Sequence, residues 1–384
     1  MYTSCCVARA PRPRQDVIIS QAEAQIEATF HPVRSALIIA LAIPALLVLA
    51  FLVAKAVGHD ALAHHAIRTA RIVVCLELIA LLLLATVGLL YEQRAERRDR
   101  ELYPAPGKLV DIGGYRLHLT CSGEGQTVVL EYGQQGSYLD WYLVQPQIAQ
   151  FARVCAYDRG GYGWSDPSPK PRVPSIMAEE LHALLHAAGE APPYILVGHS
   201  FGGLSALMFA QKFPDEVAGV VLVDTSLPEM MARLRWRDRV RLRLIQAAIP
   251  FGLPRWRGWC GGAAPPEIRG LKRAISCRSS LYEIYYREWS SFPQSAAEAR
   301  AITSIGSIPL IVITRDPSEE RNSTREAEWN RLQQERAHLS SNSEFVIASG
   351  SGHDVPRDRP DVIVAALKKL IRASARPSAL QRLP

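Results

Sequence analysis

Tyr194-Ile195-Leu196-Val197-Gly198-His199-Ser200-Phe201-Gly202-Gly203 is an apolar run that passes straight into Gly-x-Ser-x-Gly, and a helix-compatible stretch from Leu204 to Lys212 follows it. A serine on a sharp strand-to-helix turn has its hydroxyl pushed out at the C-terminal edge of a sheet, where a substrate can reach it. Such a turn leaves no room for a Cβ two residues before or two residues after the serine, hence Gly198 and Gly202. The serine itself must take a strained backbone conformation of the kind that persists mainly at functional sites. Strand, glycines and helix in this order point to a nucleophile rather than to a plain Gly-rich turn.

Working outward, strands are expected at Lys108–Ile112, Tyr115–Cys121, Thr127–Tyr132, Arg153–Asp158, Tyr194–Gly198, Val217–Asp224, Pro309–Arg315 and Glu344–Ala348. The first two read as a hairpin around Gly113-Gly114. Helices are expected at Asp140–Ala152, at Ser175–Gly189 with Ser175 as N-cap and Gly189 just past the end, and at Asp358–Ala373. Strands alternating with helices predict an α/β fold, a parallel sheet with helices on both faces. The stretch from about 226 to 308 breaks that rhythm between two sheet strands and reads as an inserted cap.

A serine hydroxyl needs an adjacent base, and the base needs an orienting acid. His353, in Gly350-Ser351-Gly352-His353-Asp354 after the last strand, is the expected base. His199 lies next to the serine but should point away from the substrate side, and His338 lies on a polar segment. Asp316, after Ile311-Val312-Ile313-Thr314-Arg315, is the favoured acid. Asp224, at the end of Val221-Leu222-Val223, is the alternative at the same edge. Asp158 also ends a strand, but the following Arg159-Gly160-Gly161 suggests a structural turn. The negative oxygen of a tetrahedral intermediate needs two N–H donors. The Phe201 amide is one; the Gln134 amide, in Gly133-Gln134-Gln135-Gly136, is the expected second.

Gly198-His199-Ser200-Phe201-Gly202-Gly203, the upstream Tyr157-Asp158-Arg159-Gly160-Gly161-Tyr162-Gly163-Trp164-Ser165, and Gly352-His353 together resemble the α/β-hydrolase superfamily over about residues 107–373. The resemblance implies a mostly parallel eight-stranded sheet flanked by helices, with Ser200 as nucleophile, His353 as base, Asp316 as acid, and Phe201 and Gln134 as oxyanion donors. Two departures stand out: Glu131-Tyr132-Gly133 where many members have His-Gly, and Thr314-Arg315-Asp316 in place of a common Gly-x-x-Asp. The second keeps Asp224 in play. Members that open epoxides use a carboxylate nucleophile, and serine here argues against that chemistry. The Asp-Arg-Gly-Gly-Tyr-Gly-Trp-Ser stretch is also similar to prolyl aminopeptidases, which would require acids in the cap, such as Glu283 and Glu288, to hold a substrate amine.

The front of the 384-residue chain reads differently. Residues 1–34 form a polar arm. Ala36–Ala54 is nineteen residues without a charge, and Ile72–Tyr91 is twenty with only Glu77. Each approaches the ~20 residues that cross a bilayer as a helix. The expectation is a two-span membrane hairpin over 35–91, a linker at 92–106, the hydrolase-like domain at 107–373, and a tail at 374–384. Flanking arginines favour cytoplasmic termini. Pairing of Cys121 with Cys155 and of Cys260 with Cys277 would instead suit an oxidising compartment. The net charge of +7 arises locally, from eight arginines against Asp238 between Met231 and Trp259. That pattern is unlike the spread basicity of a nucleic-acid binder. Arg233, Arg235, Arg237, Arg239, Arg241 and Arg243, with Trp236, Trp256 and Trp259 nearby, suit either a solvated cap or an anionic membrane interface. No CxxC, HExxH or Cys/His cluster signals a metal site, and no cofactor is implied. The expected function is a membrane-anchored serine hydrolase acting on a carboxylic ester, a lipid-like one included, with a prolyl-aminopeptidase-like amide hydrolase or a non-catalytic scaffold of the same fold as the alternatives.

Overall fold

The structure, a computed structural model, describes residues 52–53, 55–57, 60–229, 231, 236–260, 264–319 and 323–375. The chain divides into two units, residues 1–87 and 88–384. All but two residues of the first expected span (Leu52 and Val53) lie outside the described residues. The second expected span lies within one long helix, α1 (Asp60–Leu102). Helix therefore replaces both the expected loop from residue 60 onward and most of the linker. The reason is local: Ala, Leu, Arg and Glu dominate this segment, all strong helix formers, and the first proline is Pro104. Among the described residues α1 is the one helix long and apolar enough to cross a membrane, and its most apolar window buries none of its residues. The expected two-span hairpin thus has one such helix among the described residues.

The second unit is built on one eight-stranded sheet. Its strands are β1 (Lys108–Asp111), β2 (Arg116–Ser122), β3 (Thr127–Glu131), β4 (Arg153–Asp158), β5 (Tyr194–His199), β6 (Val217–Val223), β7 (Leu310–Arg315) and β8 (Ser343–Ala348). The order is β1-β2-β4-β3-β5-β6-β7-β8. β1 and β2 pair antiparallel, as do β2 and β4; all later pairs are parallel. β3 and β5 are buried along their whole length. Strands covered on both faces read as continuous apolar runs, and that is what made them visible in the sequence.

The two faces carry separate cores. One lies under α2 (Pro174–Ala188) and α3 (Gly202–Lys212) and contains Leu181, Leu184, Leu207 and Phe209. The other contains Trp141 and Ile148 together with Ile363, Leu367 and Leu370, the last three from the C-terminal helix Pro360–Ala375. The helix expected at Asp140–Ala152 is instead a 3-10 turn, Tyr138–Trp141, and a single α-turn, Gln145–Ile148. Pro146 lacks the N–H that a continuous helix would need there. Ser175 is not the N-cap of α2; Val173 is, and the Ser175 amide donates to Glu298 at 2.9 Å. Gly189 ends α2 at φ +75°, the left-handed cap that glycine supplies cheaply.

Between β6 and β7 the cap carries, among the described residues, four helices of ten or more residues: α4 (Trp236–Ala248), α5 (Pro266–Ser276), α6 (Ser279–Ser290) and α7 (Phe292–Ala301). Arg233 and Arg235 lie outside the described residues. After β7 comes α8 (Ser323–Arg336), and Pro360–Ala375 is α9. Both cysteine pairs are bridged, Cys121–Cys155 directly across β2 and β4 and Cys260–Cys277 within the cap.

Candidate active site

Ser200 follows β5 at the C-terminal edge of the sheet and takes φ +51°, a left-handed conformation that a β-carbon disfavours. Its strained turn is held by neighbours: the Ser200 amide donates to Val223 O at 3.0 Å, and the Ser226 amide donates to Ser200 O at 3.0 Å. The glycines are there because of space. A Cβ on Gly198 would lie 2.5 Å from Gly203 Cα, and one on Gly202 would lie 2.7 Å from the carbonyls of Glu131 and Tyr132.

His353 sits on the loop after β8. Its Nε2 lies 3.0 Å from Ser200 Oγ, and its Nδ1 lies 2.5 Å from Asp224 Oδ2. The His353 side chain is 34% exposed, so the serine–histidine edge is open to solvent while the acid behind it is fully buried. Asp224, not Asp316, is therefore the acid that faces the base. It too has positive φ, +41°. Burial alone would raise its pKa. The hydrogen bond and charge of His353, the Arg315 guanidinium and the Trp329 indole outweigh burial and bring it to about 2. Trp329 Nε1 donates to Asp224 Oδ1 at 2.8 Å, and Arg315 donates from its amide at 3.2 Å and its guanidinium at 3.1 Å. Glu326 holds the other side of that guanidinium at 2.7 and 2.8 Å.

Asp316 clasps a loop instead. Its Oδ1 accepts from the Ser318 amide and hydroxyl at 2.9 and 2.7 Å, and its Oδ2 accepts from the Gly350 amide at 2.8 Å. The Asp316 amide donates to Ser351 O at 2.9 Å. These bonds tie the end of β7 to the loop that presents His353. Asp158 has the structural role expected of it: its carboxylate receives the amides of Tyr138 and Trp164 and contacts His118 Nδ1 at 2.8 Å. His199 is buried, its Nε2 2.8 Å from His353 O. Burial, and then the neighbouring His353, lower its pKa to about 4, so it stays neutral at ordinary pH. His338 lies exposed on a 3-10 turn, Ala337–Leu339.

The amides of Phe201 and Gln134 donate to no backbone acceptor among the described residues. Phe201 stands at the N-terminus of α3, where amides and the helix dipole favour negative charge. The loop after β3 presses on the serine: a Cβ on Gly133 would lie 2.8 Å from Ser200 Cβ and 3.2 Å from Oγ. Arg159 pins this loop, its guanidinium donating to Tyr132 O and, at 2.9 Å, to Gly133 O. Arg159 is itself buried between Glu131 at 3.7 Å and Glu288 at 3.4 Å. Glu131, the departure from His-Gly, thus belongs to a buried acid–arginine–acid cluster; burial raises its pKa to about 7 against the pull of Arg159.

The sequence reading missed Arg315, Trp329 and the role of Arg159. Arg159 was inside a quoted motif, and its position beside Asp158 could have flagged it. Nothing in the sequence linked Trp329 to Asp224, 105 positions away. The cap packs aromatic rings on Phe201, the residue after the nucleophile. Phe201 stacks on Phe292 at 5.8 Å between ring centroids, and Phe292 stacks on Trp289 at 4.7 Å.

Residues 126–246 match a family model described as the alpha/beta hydrolase fold. A relative, the uncharacterized protein YbdG of Bacillus subtilis, is 27% identical over 190 residues, 48% of this chain and 58% of its own length. The chain therefore spans little more than half of that relative. Among solved structures, a thermophilic esterase from Thermogutta terrifontis covers 70% of this chain and 98% of its own with a TM-score of 0.53 at 20% identity. The epoxide hydrolase CorEH covers 69% of this chain and 97% of its own with a TM-score of 0.51 at 21% identity. At such identities the likeness is one of fold. The globular part of this chain has the α/β-hydrolase fold.

Proposed function

We propose that the chain is a membrane-anchored serine hydrolase that cleaves a carboxylic ester through an acyl-enzyme. The observation that carries this reading is the continuous relay from Ser200 Oγ to His353 Nε2 at 3.0 Å and from His353 Nδ1 to Asp224 at 2.5 Å. In it, Ser200 Oγ attacks the ester carbonyl as His353 takes the hydroxyl proton. Asp224, ionised because its pKa is held near 2, keeps the imidazole oriented and stabilises its protonated form. The Phe201 and Gln134 amides receive the oxyanion. His353 then protonates the leaving alcohol, and a water activated by the same imidazole releases the acid. The fold alone would not choose this chemistry, since an epoxide hydrolase shares it; the serine at position 200 favours acyl transfer.

The aromatic cluster of Phe201, Phe292 and Trp289, packed behind the Ser200 turn, favours an apolar acyl group. A membrane setting is supported by α1, whose apolar stretch exposes Leu76, Leu78, Ile79 and Leu81–Leu84. It is supported further by the cap, where Trp236, Leu244, Phe251 and Trp256 are exposed among arginines. Buried Arg255, in the same cap segment, donates to Glu92 at 3.0 Å and to Asp99 at 2.5 Å, which fastens that segment to the charged end of α1. The two disulfides favour an oxidising side of the membrane for the domain. The aminopeptidase reading finds its acids engaged: Glu288 is buried against Tyr162 and Arg159, and Glu283 contacts Gln246 and Arg243.

The test is fluorophosphonate labelling together with turnover of p-nitrophenyl esters of graded chain length. Labelling and turnover should both vanish in Ser200→Ala, with a loss of order 10⁶ in kcat. An unlabelled wild type under native conditions would leave a non-catalytic scaffold as the better account.

A further inference from the structure

Away from the catalytic edge, His182 and His186 stand one turn apart on α2, so their rings share a face of the helix. Glu216, in the turn Pro214–Glu216 just before β6, faces both. His182 Nε2 lies 3.1 Å from Glu216 Oε1, and His186 Nε2 lies 3.1 Å from Oε2. The three ligand atoms all lie within 4.8 Å of one another. His182 is held in place by stacking flat on Phe213, with 3.9 Å between ring centroids and 10° between planes.

We propose that His182, His186 and Glu216 form a binding site for a divalent transition metal such as Zn²⁺. Zinc bonds to imidazole nitrogen and carboxylate oxygen are about 2.0–2.2 Å, so neighbouring ligand atoms of a tetrahedral site stand about 3.3 Å apart. The observed 3.1 Å separations, each to a different oxygen of Glu216, are close to that edge length, so an ion enters with a small adjustment of the ligands. Two imidazoles and one carboxylate are the donor set that suits zinc, copper or nickel rather than calcium or magnesium. All three side chains are partly exposed, between 25% and 48%, so solvent can fill the fourth position.

The site has no part in the reaction at Ser200. Glu216 precedes β6, whereas Ser200 follows β5, so the two lie at opposite ends of parallel strands. The ion instead ties α2 to the turn that follows α3, the helix that begins beside the nucleophile. It is a structural site, and its signature in the sequence is only His-x-x-x-His, with the acid thirty residues further on.

The test uses the full chain without a polyhistidine tag, purified in detergent and stripped with a chelator. Zn²⁺ at a hundredfold excess over its Kd should raise Tm by about 5 °C. One equivalent of Co²⁺ should give the visible absorption of a tetrahedral site. Both responses should disappear in His186→Ala and in Glu216→Gln, which alter partly exposed side chains, and both should persist in His353→Ala. Absence of both responses in the wild-type chain overturns the proposal. So does their survival in His186→Ala, or their loss in His353→Ala alone, which would place the ion at the serine–histidine edge.

Discussion

Asp224 and Asp316 end neighbouring strands at the same edge of one sheet, yet they do different work. Asp224 is fully buried, its Oδ2 on His353 and its Oδ1 on Trp329 and the Arg315 amide. Asp316 is partly exposed and bonds to the Ser318 and Gly350 amides and the Ser318 hydroxyl. One carboxylate is surrounded by a cation, an indole and the base; the other organises backbone. Strand ends make many residues available at a functional edge, while the contacts of the neighbouring elements select which of them meets the base. Here the selection falls to α8, which supplies Trp329 and Glu326, and to Arg315 between them.

The comparison breaks most sharply at Asp224. Asp224→Asn should reduce kcat by about 10⁴ while leaving the fold intact, because the imidazole loses its orienting anion. Steady-state kinetics with a p-nitrophenyl ester would check it, and a comparable loss in Asp316→Asn instead would reverse the assignment.

Next in size is Arg315→Met, which leaves Asp224 and Glu326 as buried carboxylates without their shared cation. A stability loss of about 3 kcal/mol is expected from denaturant unfolding. The pH dependence should shift as well. The Asp224 pKa of about 2 lies below the unfolded value of about 3.9. A depressed carboxylate pKa contributes stability that is fully present above the unfolded value and is lost as pH falls through about 2. Without Arg315 the folded-state value should rise toward the unfolded one, so this acid-dependent loss should shrink and end at a higher pH, and an unchanged acid limb would count against Arg315 as the cation that matters.

Gly133→Ala should come third. The new Cβ would press on Ser200 Cβ and Oγ, and a displacement of that order costs up to about 10²-fold in kcat. Thermal stability measured alongside should fall far less than activity; equal losses would mean a folding defect rather than a misplaced nucleophile.

Asp316→Asn should be the mildest, a change in kcat below about threefold and a stability loss of about 1 kcal/mol from weakened loop bonds. Melting curves and the same ester assay read both.

Much of the fold was legible because buried parallel strands are apolar from end to end. Val217–Val223 and Leu310–Arg315 announce themselves, and Gly198 and Gly202 mark the turn after β5 that carries Ser200. The extent of α1 was less legible. A search for apolar runs stops at Tyr91, whereas helix propensity carries the helix on to Leu102. The helix expected at Asp140–Ala152 failed for the opposite reason, an apolar pattern interrupted by Pro146. At the site, Ser200 and His353 could be named because each follows a strand in a recognisable loop. Trp329 could not be, since its strand-end partner lies more than a hundred residues away and an indole on a polar helix carries no local sign of its role.

Residue order alone places a serine on a strained turn at the edge of a parallel sheet, a histidine after the last strand, and a long apolar segment ahead of the domain. These follow from residue-by-residue properties: glycine's lack of a Cβ, the period of apolar burial, and helix propensity. Only the tertiary structure decided which of two aspartates faces His353, that Glu131 joins Arg159 and Glu288 in a buried cluster, and that His182, His186 and Glu216 converge. Those outcomes depend on where α8, the cap and the turn before β6 come to rest. A charge selects its partner by distance and burial, and neither quantity can be read along a chain.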